Sequence, residues 1–175
     1  MLPKWADTGL DDRLVAPVVL PGCEGDALEI FTAGTSGSSA ERFFGRLMYA
    51  DVTTVVDTRL NNVSQLAAFS KYPDLPYFLS RITRADYLHE LLLAPEQDAL
   101  KAYRAKALTW PEYAQLYREL LERRRVDEVI DRSGWGERPL LLCSEPTAEH
   151  CHRRLAAEYL ANSWGAGVVT GVRHL

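Results

Sequence analysis

Two short clusters of reactive side chains lie close together in the last third of the chain, Cys143-Ser144-Glu145 and Cys151-His152-Arg153. A thiol near a helix N-terminus has its pKa lowered and can serve as a nucleophile, with His152 or Glu145 moving protons. The packing reading weighs against this, because cysteine is among the residue types most often buried. Cys151 shares a helical face with Leu155, Tyr159 and Leu160, so packing is favoured for it. For Cys143, nucleophile and core residue stand nearly level. Upstream, Asp57 and Arg59 follow one apolar run, and Thr35 and Ser36 follow another. Glu145 and Asp57 suit acid and base roles, since burial and like charge separate carboxylate pKa values. Equally, they can cap backbone N–H groups or pair with Arg59 and Arg153. The candidate catalytic residues are therefore Cys143, Glu145 and Asp57. The candidate ligand-binding residues are Thr35, Ser36, Arg59, His152 and Arg153, with His152 read as a loop clamp before a base.

Metal chemistry fits the spacing poorly. Cys143 and Cys151 are separated by seven residues, which is not the interval of a zinc knuckle. On a regular helix the adjacent Cys151 and His152 diverge by about 100°. No metal site is assigned, and any cofactor stays unknown.

The elements that must hold these groups alternate between strand and helix. Leu140 to Leu142 is a continuous apolar run, as expected of a strand buried on both faces of a parallel sheet. Pro146 breaks it, Thr147 is the expected N-cap of the next helix, and Glu149 suits the positive end of that helix. His152 and Arg153 are expected to point away from its apolar face. The helix should end near Asn162, with a last strand over 168–172. Leu28 to Thr32 is the first strand, followed by the loop from Gly34 to Ser39 and a helix signed by the capping box Ser38…Glu41. That loop is expected to present free N–H groups to an anion. Thr53 to Val56 is the second strand, and 78–82 reads as a short third one. Tyr87-Leu88-His89 is assigned to a loop or short helix. Pro95 opens a helix carrying Leu100 and Tyr103 inward, and Thr109…Glu112 caps another bearing Tyr113, Leu116, Tyr117, Leu120 and Leu121. The pattern implies a three-layer α/β fold with a mostly parallel, five-stranded, Rossmann-like sheet flanked by helices. With strand order 3-2-1-4-5, the loops after strands one and four meet at the switch point. Thr35, Asp57, Arg59, Cys143, Glu145 and Arg153 would then share one crevice.

The same residues carry a family resemblance. Cys-x-Glu followed by Cys-His-Arg at 143–145 and 151–153 resembles the signature of the domain-of-unknown-function 488 family. Thr32-Ala33-Gly34-Thr35-Ser36 stands where that family has Thr-Ile-Gly-His-Ser, and Val56-Asp57-Thr58-Arg59 is similar to its Val-Asp-x-Arg. Tyr87-Leu88-His89 and the terminal Val172-Arg173-His174-Leu175 match further pieces in order. The likeness runs from about Leu28 to Leu175. Thr35 replaces a usual histidine, Asn61-Asn62 replaces a Ser/Pro segment, and Ala94-Pro95 replaces a glycine pair. The resemblance implies a fold and a site, and no reaction.

With 175 residues, the chain reads as a single α/β domain over 27–175 preceded by an extension over 1–26 rich in proline and glycine. Arg13 to Leu20 is a candidate edge strand. The apolar runs fall short of the roughly 20 residues that cross a bilayer, so no membrane partner is expected. Three cysteines at irregular spacing argue against a disulfide framework and for a reduced, cytoplasmic setting. The net charge of −4 disfavours nucleic acid. Sixteen of the 20 basic residues are arginine, the better partner for planar oxyanions. Three classes follow. The favoured one is an enzyme acting on a small anionic or nucleotide-like substrate. The alternatives are a non-catalytic ligand-binding or interaction module, and a nucleic-acid-processing protein. A homodimer is compatible with the sequence.

Overall fold

The computed structural model describes residues 27–63 and 68–175. The extension over 1–26, with its candidate edge strand and Cys23, lies outside the described residues. Five strands form one all-parallel sheet: β1 (Leu28–Gly34), β2 (Thr54–Asp57), β3 (Asp86–His89), β4 (Pro139–Cys143) and β5 (Val169–His174). Helices connect them: α1 (Ala40–Tyr49), α2 (Asp74–Phe78), α3 (Gln97–Arg104), α4 (Trp110–Arg123), α5 (Val126–Val129) and α6 (His152–Trp164). The result is a three-layer α/β fold.

The strand order is β3-β2-β4-β1-β5, not the expected 3-2-1-4-5. β4 is inserted between β2 and β1 because it is apolar along its whole length. All five of its residues are buried, which only a central position provides. β3, buried on neither face, occupies one edge. The adjacency of the loops after β1 and β4 survives the change. β1 and β4 are direct neighbours, with Gly34 opposite Cys143. α1 leaves β1 into the core layer of Phe31, Phe43, Phe44, Leu47 and Leu140. α6 leaves β4 into the other layer, with Leu141, Leu155, Ala156 and Leu160. Chains departing to opposite faces from adjacent strands leave a gap at the carboxyl ends.

Other expectations need correction. The segment 78–82 is no strand but the end of α2 and a following π-helical turn, Leu79–Thr83. Pro76 sits in the first turn of α2, where its missing N–H costs nothing, and Leu75 and Leu79, one helical turn apart, are both fully buried. Tyr87-Leu88-His89 is the third strand. α1 is capped by Ser39, whose hydroxyl accepts from the Arg42 N–H at 3.2 Å, one residue later than the Ser38 box implied. The capping box at Thr109 and Glu112 is formed, and Leu116 alone of the stripe behind it is exposed.

Candidate functional site

α6 begins at His152 with Cys151, in extended conformation, as its N-cap. Residues 144–150 form turns instead of the helix expected from Thr147. The late start matters chemically. His152 and Arg153 occupy the first turn of α6, directly over the strand ends, and both are buried, contrary to the outward orientation expected of them. The Arg153 guanidinium reaches Cys143 Sγ at 2.9 Å, the Glu145 carbonyl at 2.6 Å and Cys151 Sγ at 3.5 Å. The two sulfurs stand 2.8 Å apart. Gly34 makes this junction close: a Cβ there would lie 1.6 Å from the Glu145 carbonyl oxygen and 3.0 Å from Arg153.

Burial alone would push the Cys143 thiol up, but the hydrogen bond from Cys151, the Arg153 charge and the Glu145 N–H outweigh it and bring it down to about 7. Cys151 is pushed up, by its hydrogen bond to Cys143 and by burial. Above about pH 7 the pair thus shares one proton, held by Cys151, with Cys143 as the thiolate paired with Arg153. His152 is a neutral imidazole. Burial pushes it down to about 4, with Arg153 and Arg104 helping against the Thr58 carbonyl. Its tautomer follows from its partners. The Thr58 hydroxyl donates to the Leu142 carbonyl at 2.9 Å, so His152 Nε2 donates to Thr58, 3.1 Å from Oγ1 and 3.3 Å from the carbonyl. Nδ1 keeps its lone pair, 3.9 Å from Cys151 Sγ.

A second group lies across the β4–β2 pairing. Arg59 grips Asp57 through Nε at 2.8 Å and a terminal nitrogen at 2.6 Å, and also reaches the Ser70 carbonyl at 2.8 Å. Tyr87 donates to Asp57 at 2.8 Å, Asn62 donates to Tyr87 at 3.1 Å, and His89 Nε2 donates to the Arg59 carbonyl at 2.8 Å. Asp57 is fully buried and Arg59 is 4% exposed, so this pair satisfies its own charges and latches the loop after β2. The loop after β1 is likewise engaged. Thr35 N–H donates to the Cys143 carbonyl and Ser36 N–H to the Ser144 carbonyl, so neither is the free anion donor expected there.

Above the thiols opens a cleft of about 760 Å³. Its walls include Cys151, His152, the half-exposed Glu145, and the cationic or aromatic Lys101, Arg104, His150, Tyr103 and Tyr113. Cys143, Arg153, Asp57 and Thr35 lie behind the wall. Cys151, assigned to packing from the sequence, is buried at 1% exposure and also lines the cleft, whereas Cys143 does not. Tyr113 adds a feature the sequence did not signal. Its hydroxyl is buried and has no hydrogen-bond partner among the described residues. Burial and the nearby thiols Cys151 and Cys143 push its pKa up, so it remains a proton donor. The helical tyrosine stripe read as packing thus carries one polar atom in search of an acceptor.

Cys143, Cys151 and His152 also place three metal-donor atoms within 4.8 Å of one another. The Arg153 guanidinium, 2.9 Å from one of those sulfurs, adds a positive charge that opposes a dication there.

With this geometry in hand, comparison with known families is decisive on one point. The family model "Domain of unknown function DUF488" matches residues 39–160, more than half of the chain. The protein belongs to the DUF488 family. The match spans Asp57, Arg59 and both cysteine clusters. Curated proteins and solved structures gave no match to the chain.

Proposed function

We propose that this DUF488 protein is an enzyme that acts on a small anionic molecule in the cleft, with the Cys143–Cys151 pair as its reacting sulfurs. The observation that carries this reading is the buried Tyr113 hydroxyl, unpartnered among the described residues, on a tyrosine that lines the same cleft as Cys151. Such a donor is costly unless a ligand accepts from it. Lys101 and Arg104 give the wall its positive charge. Arg104 makes only a long contact of 3.9 Å with Glu145, so it can turn toward an anion. Arg153 behind the wall holds the sulfur charge in place, and Cys143 draws the proton from Cys151 when that sulfur attacks. Glu145, half-exposed on the cleft wall, is the carboxylate placed to exchange protons with a bound substrate. Asp57 and Arg59 position the loop after β2.

The burial of both sulfurs, at 0 and 1% exposure, favours a second reading in which the cleft binds an anion without reacting. Alkylation rates separate the two. The enzyme reading expects iodoacetate to label Cys151 with a rate ratio to neutral iodoacetamide above that of a free thiol. Arg104→Gln should lower that ratio about fivefold, the upper end for a solvent-exposed ion pair. Stabilisation of the fold by phosphate or carboxylates, with Cys151 inert to both reagents, would support binding without chemistry. No anion preference in either measurement would end the anionic-substrate reading.

A further inference from the structure

The sulfurs carry more than a nucleophile. We propose that Cys143 and Cys151 form a redox-active dithiol in which the cleft-facing Cys151 sulfur reduces a small hydroperoxide and Cys143 then closes an intramolecular disulfide. The inference rests on the reading above in one respect, that Cys151 is reached from the cleft.

Three observations support it. The sulfur atoms are 2.8 Å apart, and a disulfide bond of about 2.0 Å needs only a small approach from there. A single arginine contacts both sulfurs, at 2.9 and 3.5 Å, so negative charge is stabilised on either one as the proton moves. The Arg153 guanidinium and the His152 Nδ1 lone pair lie 3.5 and 3.9 Å from the Cys151 sulfur. Tyr113, whose hydroxyl is unpartnered among the described residues, lines the same cleft, so hydrogen bonds are on offer to an incoming peroxide. Size sets the oxidant class. At 1% exposure, Cys151 admits a small peroxide more readily than a bulky disulfide.

In the first step Cys151 attacks the distal peroxide oxygen, and its proton passes to the Cys143 thiolate. An S–O bond forms, the O–O bond breaks, and the departing alkoxide takes a proton from solvent. Sulfur loses two electrons to become a sulfenic acid, and the peroxide is reduced to an alcohol, or to water if it is hydrogen peroxide. In the second step Cys143 attacks the Cys151 sulfur. The S–S bond forms, the S–O bond breaks, and hydroxide leaves with the Cys143 proton as water. Two equivalents of a low-molecular-weight thiol restore the pair by exchange and depart as their own disulfide.

The test treats fully reduced, full-length protein with one equivalent of hydrogen peroxide and counts thiols after denaturation. The three cysteines should fall to one free thiol within minutes, with a peptide map linking Cys143 to Cys151 and dithiothreitol reversing the change. Cys143→Ser, which removes both the proton acceptor of the first step and the resolving thiol, should react more slowly and stop at a sulfenic acid on Cys151 that a cyclic diketone traps, with circular dichroism confirming the fold. Three thiols remaining in the wild type, or oxidation that runs on to sulfinic acid without the cross-link, would overturn the proposal. Hydrogen peroxide is neutral, so the result does not depend on Lys101 or Arg104. Disulfide formation without anion preference would remove the anionic substrate alone, and anion preference without disulfide formation would remove the redox couple alone.

Discussion

The proton between Cys143 and Cys151 governs this site, because its position decides which sulfur is nucleophilic and which is the better leaving group. The spacing of Cys-x-Glu and Cys-His-Arg was enough to gather these side chains, since a strand end and the helix after it always share one loop. Which sulfur faces the cleft was not legible, because that depends on where α6 starts. A helix capped at Thr147 would turn Cys151 inward, whereas Cys151 as the cap leaves it at the cleft wall. His152 and Arg153 were misplaced for the same reason. Their burial has a pH consequence. His152 is packed against Tyr117 and faces Thr58, Arg153, Arg104 and Asp57. Its pKa falls from 6.5 to about 4 on folding, so the unfolded chain takes up a proton at a higher pH than the folded one. Stability is therefore full above pH 6.5 and is lost as pH falls toward 4, by up to the order of 3 kcal/mol. Cys143 is displaced from 9.0 to about 7, so its thiolate contributes stability that builds up between pH 7 and 9 and is lost as pH falls through 7. Cys151, pushed the other way, takes stability away as pH rises beyond 9. Urea midpoints measured from pH 4 to 9 should show both declines. Cys143→Ser should abolish the upper one and leave the lower; a flat profile in the wild type would contradict the burial-driven account of His152 and the ion pair at Cys143.

Among the elements, β4 and the helices with a clear apolar period were readable, and the polar edges were not. A continuous Leu140 to Leu142 run announces a central strand by composition. The half-polar Asp86–His89 strand does not, because a solvated edge leaves little hydrophobic signature. The order of strands was also beyond the sequence: a parallel sheet joined by crossover helices admits several orders, and the apolar run of β4 favours only a central place. Gly34 is where β1 and the loop after β4 meet most tightly. Gly34→Ala should destabilise the fold by about 3 kcal/mol, the upper range for overpacking, because its Cβ would collide with backbone at the Glu145 carbonyl. It should also slow alkylation of Cys151 by displacing the Arg153 contact. Gly45→Ala in α1, whose Cβ meets nothing within 4 Å, serves as the control and should stabilise by roughly 0.5–1 kcal/mol through helix propensity. Equal unfolding midpoints for the two variants would show that the β1–β4 junction is more yielding than its geometry implies.

At the scale of the whole molecule, charge and cleft shape discriminate between the remaining partner classes. Among the described residues no helix is long and apolar enough to cross a membrane. The net charge of −4 was legible from composition, but its distribution was not, since it depends on the fold bringing α3 against the loop after β4. Lys101 and Arg104 of α3 stand over the thiols, while Arg59 is bound to Asp57. A small anion can enter that local positive field. An extended polyanion would place most of its charges beyond the about 8–10 Å over which Lys101 and Arg104 act at physiological salt. Binding to a duplex through several phosphates would also release counterions and weaken steeply as salt rises. The expected outcome is therefore no change in the fluorescence anisotropy of a labelled oligonucleotide duplex at tens of micromolar protein in 0.15 M salt, while phosphate or a nucleoside monophosphate raises the melting temperature. Saturable duplex binding whose strength falls with salt, and which Lys101→Gln with Arg104→Gln removes, would move the protein to the nucleic-acid class and make the cleft a phosphate-backbone groove.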